Sequence, residues 1–279
     1  TAIDQWTDDI TSKSSNLKDQ NEIKEQIDKI SEVLTVIGQN DDLKKIQDTL
    51  KEKYSSNILT QANLLVKKND FTAAIELLNK NINYEYKSNL TERAASIQNS
   101  EMKAYNISIF NQLKNQATIQ YDKIDKKYII VPKGYNPKYI NVDESINVEP
   151  RIYVSDDSVT FSLISGFEQE DWIFMDNIIY ACDDKRHEYS VGFSDRNSQV
   201  LNGSIAEWYI MIDFYSEDGS SEMDELINDI SKSKSNQIRF SGQGSRDHTI
   251  SSSEKSNIVN LWKLYRLLKS DSVLIKSLG

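Results

Sequence analysis

Asp171-Trp-Ile-Phe-Met175, Ser204-Ile-Ala-Glu-Trp208 and Ile238-Arg-Phe-Ser-Gly-Gln-Gly244 are the passages whose reading decides the fold. The first opens a run of aromatic and β-branched residues that continues to Cys182, which predicts a strand over 171–182. Asp183-Asp-Lys185 supplies turn residues, and a second β-forming run follows at 187–193, so the two read as a hairpin. The second passage begins a strand over 205–214. The third is a short strand, 237–241, that leads through its glycines to a helix over 252–268. Ile258, Leu261, Trp262, Tyr265 and Leu268 recur on one face of that helix.

Working outward, Tyr128-Ile-Ile-Val131 reads as a strand, and two more are expected at 149–155 and 159–166 with Asp156-Asp157 turning between them. Ser221 and Asp224 are spaced as the N-terminal capping pair of a helix over 221–231. Pro132, Pro137 and Pro150 are the three prolines of the chain. Because proline donates no backbone hydrogen bond, 132–150 is expected to be an extended connection or an edge, not a central strand. Antiparallel strands followed by helices and one late strand predict an α+β, sandwich-like module with two helices.

Upstream the period changes. Residues 1–125 read as helical throughout, with Ile23, Ile27, Ile30, Leu34 and Ile37 spaced 4, 3, 4 and 3 apart. That run is short for a two-stranded coiled coil. Gly38 suits a helix stop, and Asp41 is placed to cap the next helix. Ile3, Trp6 and Ile10 suggest a short amphipathic helix at the start. Ala62 and Ala74, with Phe71 by the turn, resemble a tetratricopeptide-type helical hairpin over about 57–82. The repeat does not recur, which argues for a packing unit over a peptide-binding solenoid. A further helix is expected over about 89–120. The expected domains are 1–124, a helical bundle, and 125–279, the β-rich module.

Composition narrows the function classes. The 279 residues carry 33 basic and 43 acidic side chains, a net charge of −10, which argues against a nucleic-acid partner. Residues 1–125 hold 16 of the bases and 19 of the acids, so most of the excess, −7, lies beyond them. The single cysteine, Cys182, excludes an internal disulfide and reads as a small apolar residue on a buried strand. No apolar run reaches the length needed to span a bilayer. The chain starts at Thr1, which is expected of a processed product.

The sequence from Asp171-Trp-Ile-Phe through Glu207-Trp208 to Ile238-Arg-Phe-Ser-Gly, Asp247, Ile250-Ser and Glu254-Lys255 resembles a C-terminal module of uncharacterised secreted proteins and lipoproteins of Gram-positive bacteria. The resemblance covers about the last 150 residues. In those proteins a tetratricopeptide-like helical segment often precedes the module. The resemblance implies an extracellular or cell-surface location, a lipid anchor upstream of Thr1, and no assigned activity.

Five residues stand out as candidates for binding: Arg239, Arg246, Asp247, His248 and Glu207. A glycine-rich turn ahead of a helix can present N–H groups to an anion, with Arg239 or Arg246 adding charge. The structural alternative is a tight turn with Arg246 paired to Asp247. The spacing fits neither the Walker nor the Rossmann fingerprint. For nucleophilic catalysis His248 is the candidate base, with Asp247 or Glu207 as the carboxylate, but no nucleophile elbow is present. His187 falls in a charged hairpin end.

Glu207 and Asp213 lie too far apart along one strand for glycoside hydrolysis. Glu207 is expected to pair with Arg239 near the core. Ser216, Asp218, Gly219 and Glu225 fit part of a calcium loop whose first position would be Phe214, which cannot coordinate. No metal or other cofactor is therefore expected. The leading expectation is a non-enzymatic envelope binding or adaptor protein whose partner is a protein or a cell-wall component. The alternatives are an extracellular hydrolase using His248 and an intracellular protein–protein adaptor.

Overall fold

The computed structural model describes residues 10, 12–14, 17, 19–156, 158–201, 203–213 and 221–279. Readings that fall on residues 1–9, 157 and 214–220, including the opening amphipathic segment and most of the calcium-like loop, lie outside the described residues. The chain is of the α+β class, with helices leading and antiparallel sheets following. It divides into two units, Thr1–Asn106 and Ile107–Gly279.

In the first unit α1 spans Gln20–Ile37. Asp19 caps it by accepting the N–H groups of Asn21 and Glu22, and Gly38 ends it with φ of 80°. Asn40, not Asp41, caps α2 (Asp41–Lys67), because its Oδ1 accepts the N–H of Leu43 at 3.0 Å. α3 follows at Phe71–Lys80 with Asp70 as its cap. Ala62 and Ala74 are fully buried where α2 meets α3, as the hairpin reading requires. Next come α4 (Asn89–Ser96), a π-helical turn (Ile97–Glu101) and α5 (Met102–Lys114), whose residues from Ile107 onward belong to the second unit. Ile23, Ile27, Ile30, Leu43, Leu50, Leu78, Leu90 and Ile97 form one core, and buried Tyr54 donates its hydroxyl to Asn81 at 2.7 Å.

The second unit takes in residues before the expected boundary at 124. The helix stops at Lys114, and β1 (Ala117–Asp122) pairs along its full length with β2 (Lys127–Pro132). The reason is local. Asp122 Oδ1 accepts the N–H groups of Ile124 and Asp125, and Lys126 adopts a φ of 51°, closing a tight hairpin that a helix cannot continue through.

β3 spans Val148–Val154, β4 Val159–Gln169, β5 Asn177–Cys182, β6 Lys185–Ser190, β7 Arg196–Val200 and β8 Ile205–Ile212. α6 is Glu222–Lys232, β9 Asn236–Ser241, β10 Ser245–Thr249, α7 Ser252–Ser270 and α8 Ser272–Ile275. One sheet has the order β1-β2-β3-β4-β8-β7 and the other β10-β9-β5-β6, both antiparallel. Pro150 sits inside β3, a central strand, contrary to expectation. β2 pairs with β3 only at residues 152–154, so one side of the strand lacks a ladder partner at Pro150.

The sheets meet across the rings of Phe167 and Phe240, 5.2 Å apart, and through a hydrogen bond between Ser165 and Tyr180. α7 lays Trp262 and Tyr265 against Phe161 of β4, with centroids 4.9 and 5.6 Å away. Ser221 caps α6 through the N–H of Asp224, as its spacing predicts. α7 begins with a capping box in which Ser251 and Glu254 bond each other's backbone N–H.

Candidate functional site

The run 171–182 is not one strand. Only 177–182 joins a sheet, and residues 171–176 form a strap that leaves the ladder. Along it the side chains alternate. Ile173 and Met175 are buried, whereas Trp172 and Phe174 are 37% and 40% exposed. Phe174 has a φ of 54°, a left-handed conformation unfavourable for a bulky L-residue.

The strap persists in that shape because of what lies beneath it. Glu207, on β8, is fully buried, and its carboxylate accepts three successive backbone N–H groups: Ile173 at 2.8 Å, Phe174 at 3.1 Å and Met175 at 2.9 Å. Such a concave run of amides is a natural receptor for an anion, and here the anion is the protein's own side chain. Arg196 of β7 stands 3.8 Å from the same carboxylate.

The glycine-rich turn holds the strap from the side. Gln243 donates its N–H to Ile173 carbonyl at 2.7 Å, and Asp176 donates to Ser241 carbonyl at 2.8 Å. A Cβ at Gly242 would stand 2.5 Å from the carbonyl oxygens of both Ile173 and Phe174, so only glycine lets the turn seat so closely. The three passages that decide the fold therefore converge on one structure, the strap.

Above the strap the rings form a ladder. Trp172 and Phe174 are stacked, with centroids 5.4 Å apart and planes 14° from parallel. The Arg196 guanidinium lies 5.4 Å from the Phe174 centroid and 5.5 Å from that of Phe193, which is 88% exposed. Arg196 thus links the buried carboxylate to the exposed rings.

The five residues singled out in the sequence do not form one site. Glu207 takes backbone N–H groups and Arg196 as partners, not Arg239 as expected. Arg239 reaches along the opposite, outer face of its sheet to Asp247, with both contacts at 2.6 Å and both side chains more than half exposed. This pairing, led by the direct hydrogen bond, holds the Asp247 carboxyl below its ordinary range. The two residues line a depression of about 330 Å³ with Ile179, Ala181, Arg186 and Gln237.

Arg246 does not pair with Asp247, because successive residues of β10 point to opposite faces. Its guanidinium donates to the carbonyls of Glu168 at 2.8 Å and Glu144 at 3.2 Å. The turn Gly242–Gly244 joins β9 to β10 and does not open a helix, so its amides are not an anion site at a helix N-terminus.

His248 faces inward, where its Nε2 meets both oxygens of buried Glu254 at 3.1 and 2.9 Å. Glu254 also accepts the N–H of Ser251 at 2.9 Å and of Asn147 at 3.2 Å. Burial pushes its carboxyl up, but the His248 and Ser251 hydrogen bonds outweigh that, and the group ends below its ordinary range. In the sheet register His248, Ile238, Tyr180 and His187 form one cross-strand row. His187 closes the far end by meeting Asp229 of α6 at 3.0 Å. Burial pushes the Cys182 thiol up to about 11, consistent with its place in the core.

Sequence reasoning missed Arg196, Phe193 and the receptor formed by residues 173–175. Phe193 carried a signal, since it is a large apolar residue inside the turn-forming run Gly192-Phe-Ser-Asp195. Among the described residues no helix is long and apolar enough to cross a membrane. Comparison of the chain with models of known protein families, with curated proteins and with solved structures returned no match.

Proposed function

We propose that the chain is a non-enzymatic binding or adaptor protein of the cell envelope, with the ring ladder on the strap as its contact face. The observation that carries this reading is the exposed Trp172–Phe174–Arg196–Phe193 ladder, fixed from below by a buried carboxylate. Rings placed on a rigid base lose little conformational freedom on binding, which favours their use as anchors. A bulky residue in a left-handed conformation, held by several independent contacts, is also more frequent at functional positions than elsewhere.

The alternative of a hydrolase using His248 draws less support. Its Nε2 is committed to Glu254, Asp247 projects from the other face of the strand, and the Glu207 carboxylate is enclosed by the strap. The envelope assignment rests on the resemblance to secreted proteins and lipoproteins of Gram-positive bacteria, and the partner would be a protein or a cell-wall component.

Co-sedimentation of the purified chain with a Gram-positive envelope fraction tests the reading. Native chain is expected in the pellet, and the doubly substituted Trp172→Ala/Phe193→Ala chain in the supernatant. Equal pelleting of the two would refute the strap as contact face, and absence of both from the pellet would refute the envelope assignment.

A further inference from the structure

The charges around the ladder carry the reading one step further. The two segments that build it, 168–176 and 191–196, contain a single cation, Arg196, which is already held by Glu207 and by two rings. The same segments carry five acids: Glu168 is half-buried and accepts the Ser204 hydroxyl, whereas Glu170, Asp171, Asp176 and Asp195 are exposed. Within these described residues none of the four exposed acids forms a salt bridge. An apolar, π-rich centre is thus accompanied by four exposed carboxylates that form no salt bridge among the described residues, the nearby Arg246 being held by the backbone carbonyls of Glu168 and Glu144.

We infer that the strap receives a basic polypeptide segment, whose lysine or arginine stems lie on the rings of Trp172 and Phe193 while their charged ends meet the surrounding carboxylates. The inference rests on the binding reading proposed above. Lysine and arginine suit such a surface on both counts, because the aliphatic stem covers apolar area and the cation is drawn to the ring face and to the acids. A neutral glycan would use the rings and leave the carboxylates unanswered. An anionic lipid or an acidic polymer would be repelled by them. The net charge of −10 extends the same preference to longer range, as steering of a basic partner.

The probe is a fluorescein-labelled peptide of about a dozen residues containing lysine and leucine, titrated with the full chain and followed by anisotropy. Its glutamate-for-lysine counterpart and an oligomer of N-acetylglucosamine serve as comparison probes. Trp172→Ala leaves the net charge unchanged and is expected to weaken the basic peptide about tenfold. Glu170→Gln/Asp171→Asn is expected to weaken it too and to flatten its salt dependence. Circular dichroism of each variant establishes that the fold is kept.

Undiminished affinity in Trp172→Ala would reduce the binding to general charge attraction and overturn the inference. Binding of the sugar oligomer that is lost in Trp172→Ala, without binding of the basic peptide, would also overturn it while leaving the strap as a contact face. Trp172-dependent self-association of the chain, measured by sedimentation, would overturn it in favour of a second copy. Failure of the basic peptide to bind native chain would overturn it outright, and the envelope co-sedimentation would then decide the wider reading separately.

Discussion

Glu207 gives the strap its shape. Three amide hydrogens converge on its two oxygens in a place that water does not reach, so each would cost about 1–3 kcal/mol if left without an acceptor. Glu207→Gln keeps one acceptor oxygen but turns an NH₂ group toward a backbone N–H. The expected loss is about 2–4 kcal/mol, measured as a lowered midpoint in urea with an unchanged slope. The Glu207-Trp208 pair was legible in the sequence as a polar anchor near the core. Its partner was not, because a receptor made of backbone amides has no side-chain signature, and an arginine is the partner that a sequence offers first. Gly242 was legible only as turn chemistry. That its missing Cβ admits two carbonyl oxygens becomes visible when strap and turn are side by side.

At the scale of elements, β10 and α7 show what periodicity can and cannot deliver. Ser251-Ser-Ser-Glu254 is a capping-box pattern, and the helix starts where it says. Ser245-Arg-Asp-His-Thr249 is too polar to advertise a strand, so Arg246, Asp247 and His248 read as one loop cluster. As a strand the segment sends Asp247 outward and His248 inward, and the supposed cluster separates into a surface ion pair and a buried clasp.

The clasp has a pH signature. The folded Glu254 carboxyl lies below its ordinary value of 4.5, so its stabilisation is complete above that pH and is lost as the pH falls through the lowered value. Buried Glu149 runs the other way, since desolvation outweighs Arg151 and raises its carboxyl, so its protonation in acid favours the fold. Comparing the native chain with Glu254→Gln removes that background. The native chain is expected to be more stable by about 1–3 kcal/mol near neutrality, with the gap narrowing in acid. Denaturation midpoints across pH check this, and a gap independent of pH would contradict it.

For the whole molecule, two separate cores are the governing fact. The helical stripe of the first and the aromatic strands of the second were legible because one has a period near 3.6 and the other near 2. The junction was less so. Ala117-Thr-Ile-Gln-Tyr-Asp122 adjoins a helix and carries no proline or glycine, so no chain-breaking residue within it marks it off from the helix expected over 89–120. Leu78→Ala, in the first core, is expected to cost that unit about 2–5 kcal/mol. Protection of the β-unit amides against hydrogen exchange should stay unchanged, and a parallel loss in both units would show that they unfold together.

Amide hydrogen exchange at Ile173, Phe174 and Met175 tests most directly whether a buried carboxylate sets the contact face. In the native chain these amides, though outside any sheet, are expected to exchange as slowly as those of neighbouring β5. In Glu207→Gln they should become fast while the amides of β3 and β4 stay protected. Fast exchange in the native chain, or slow exchange that survives Glu207→Gln, would contradict the assignment of the strap to Glu207.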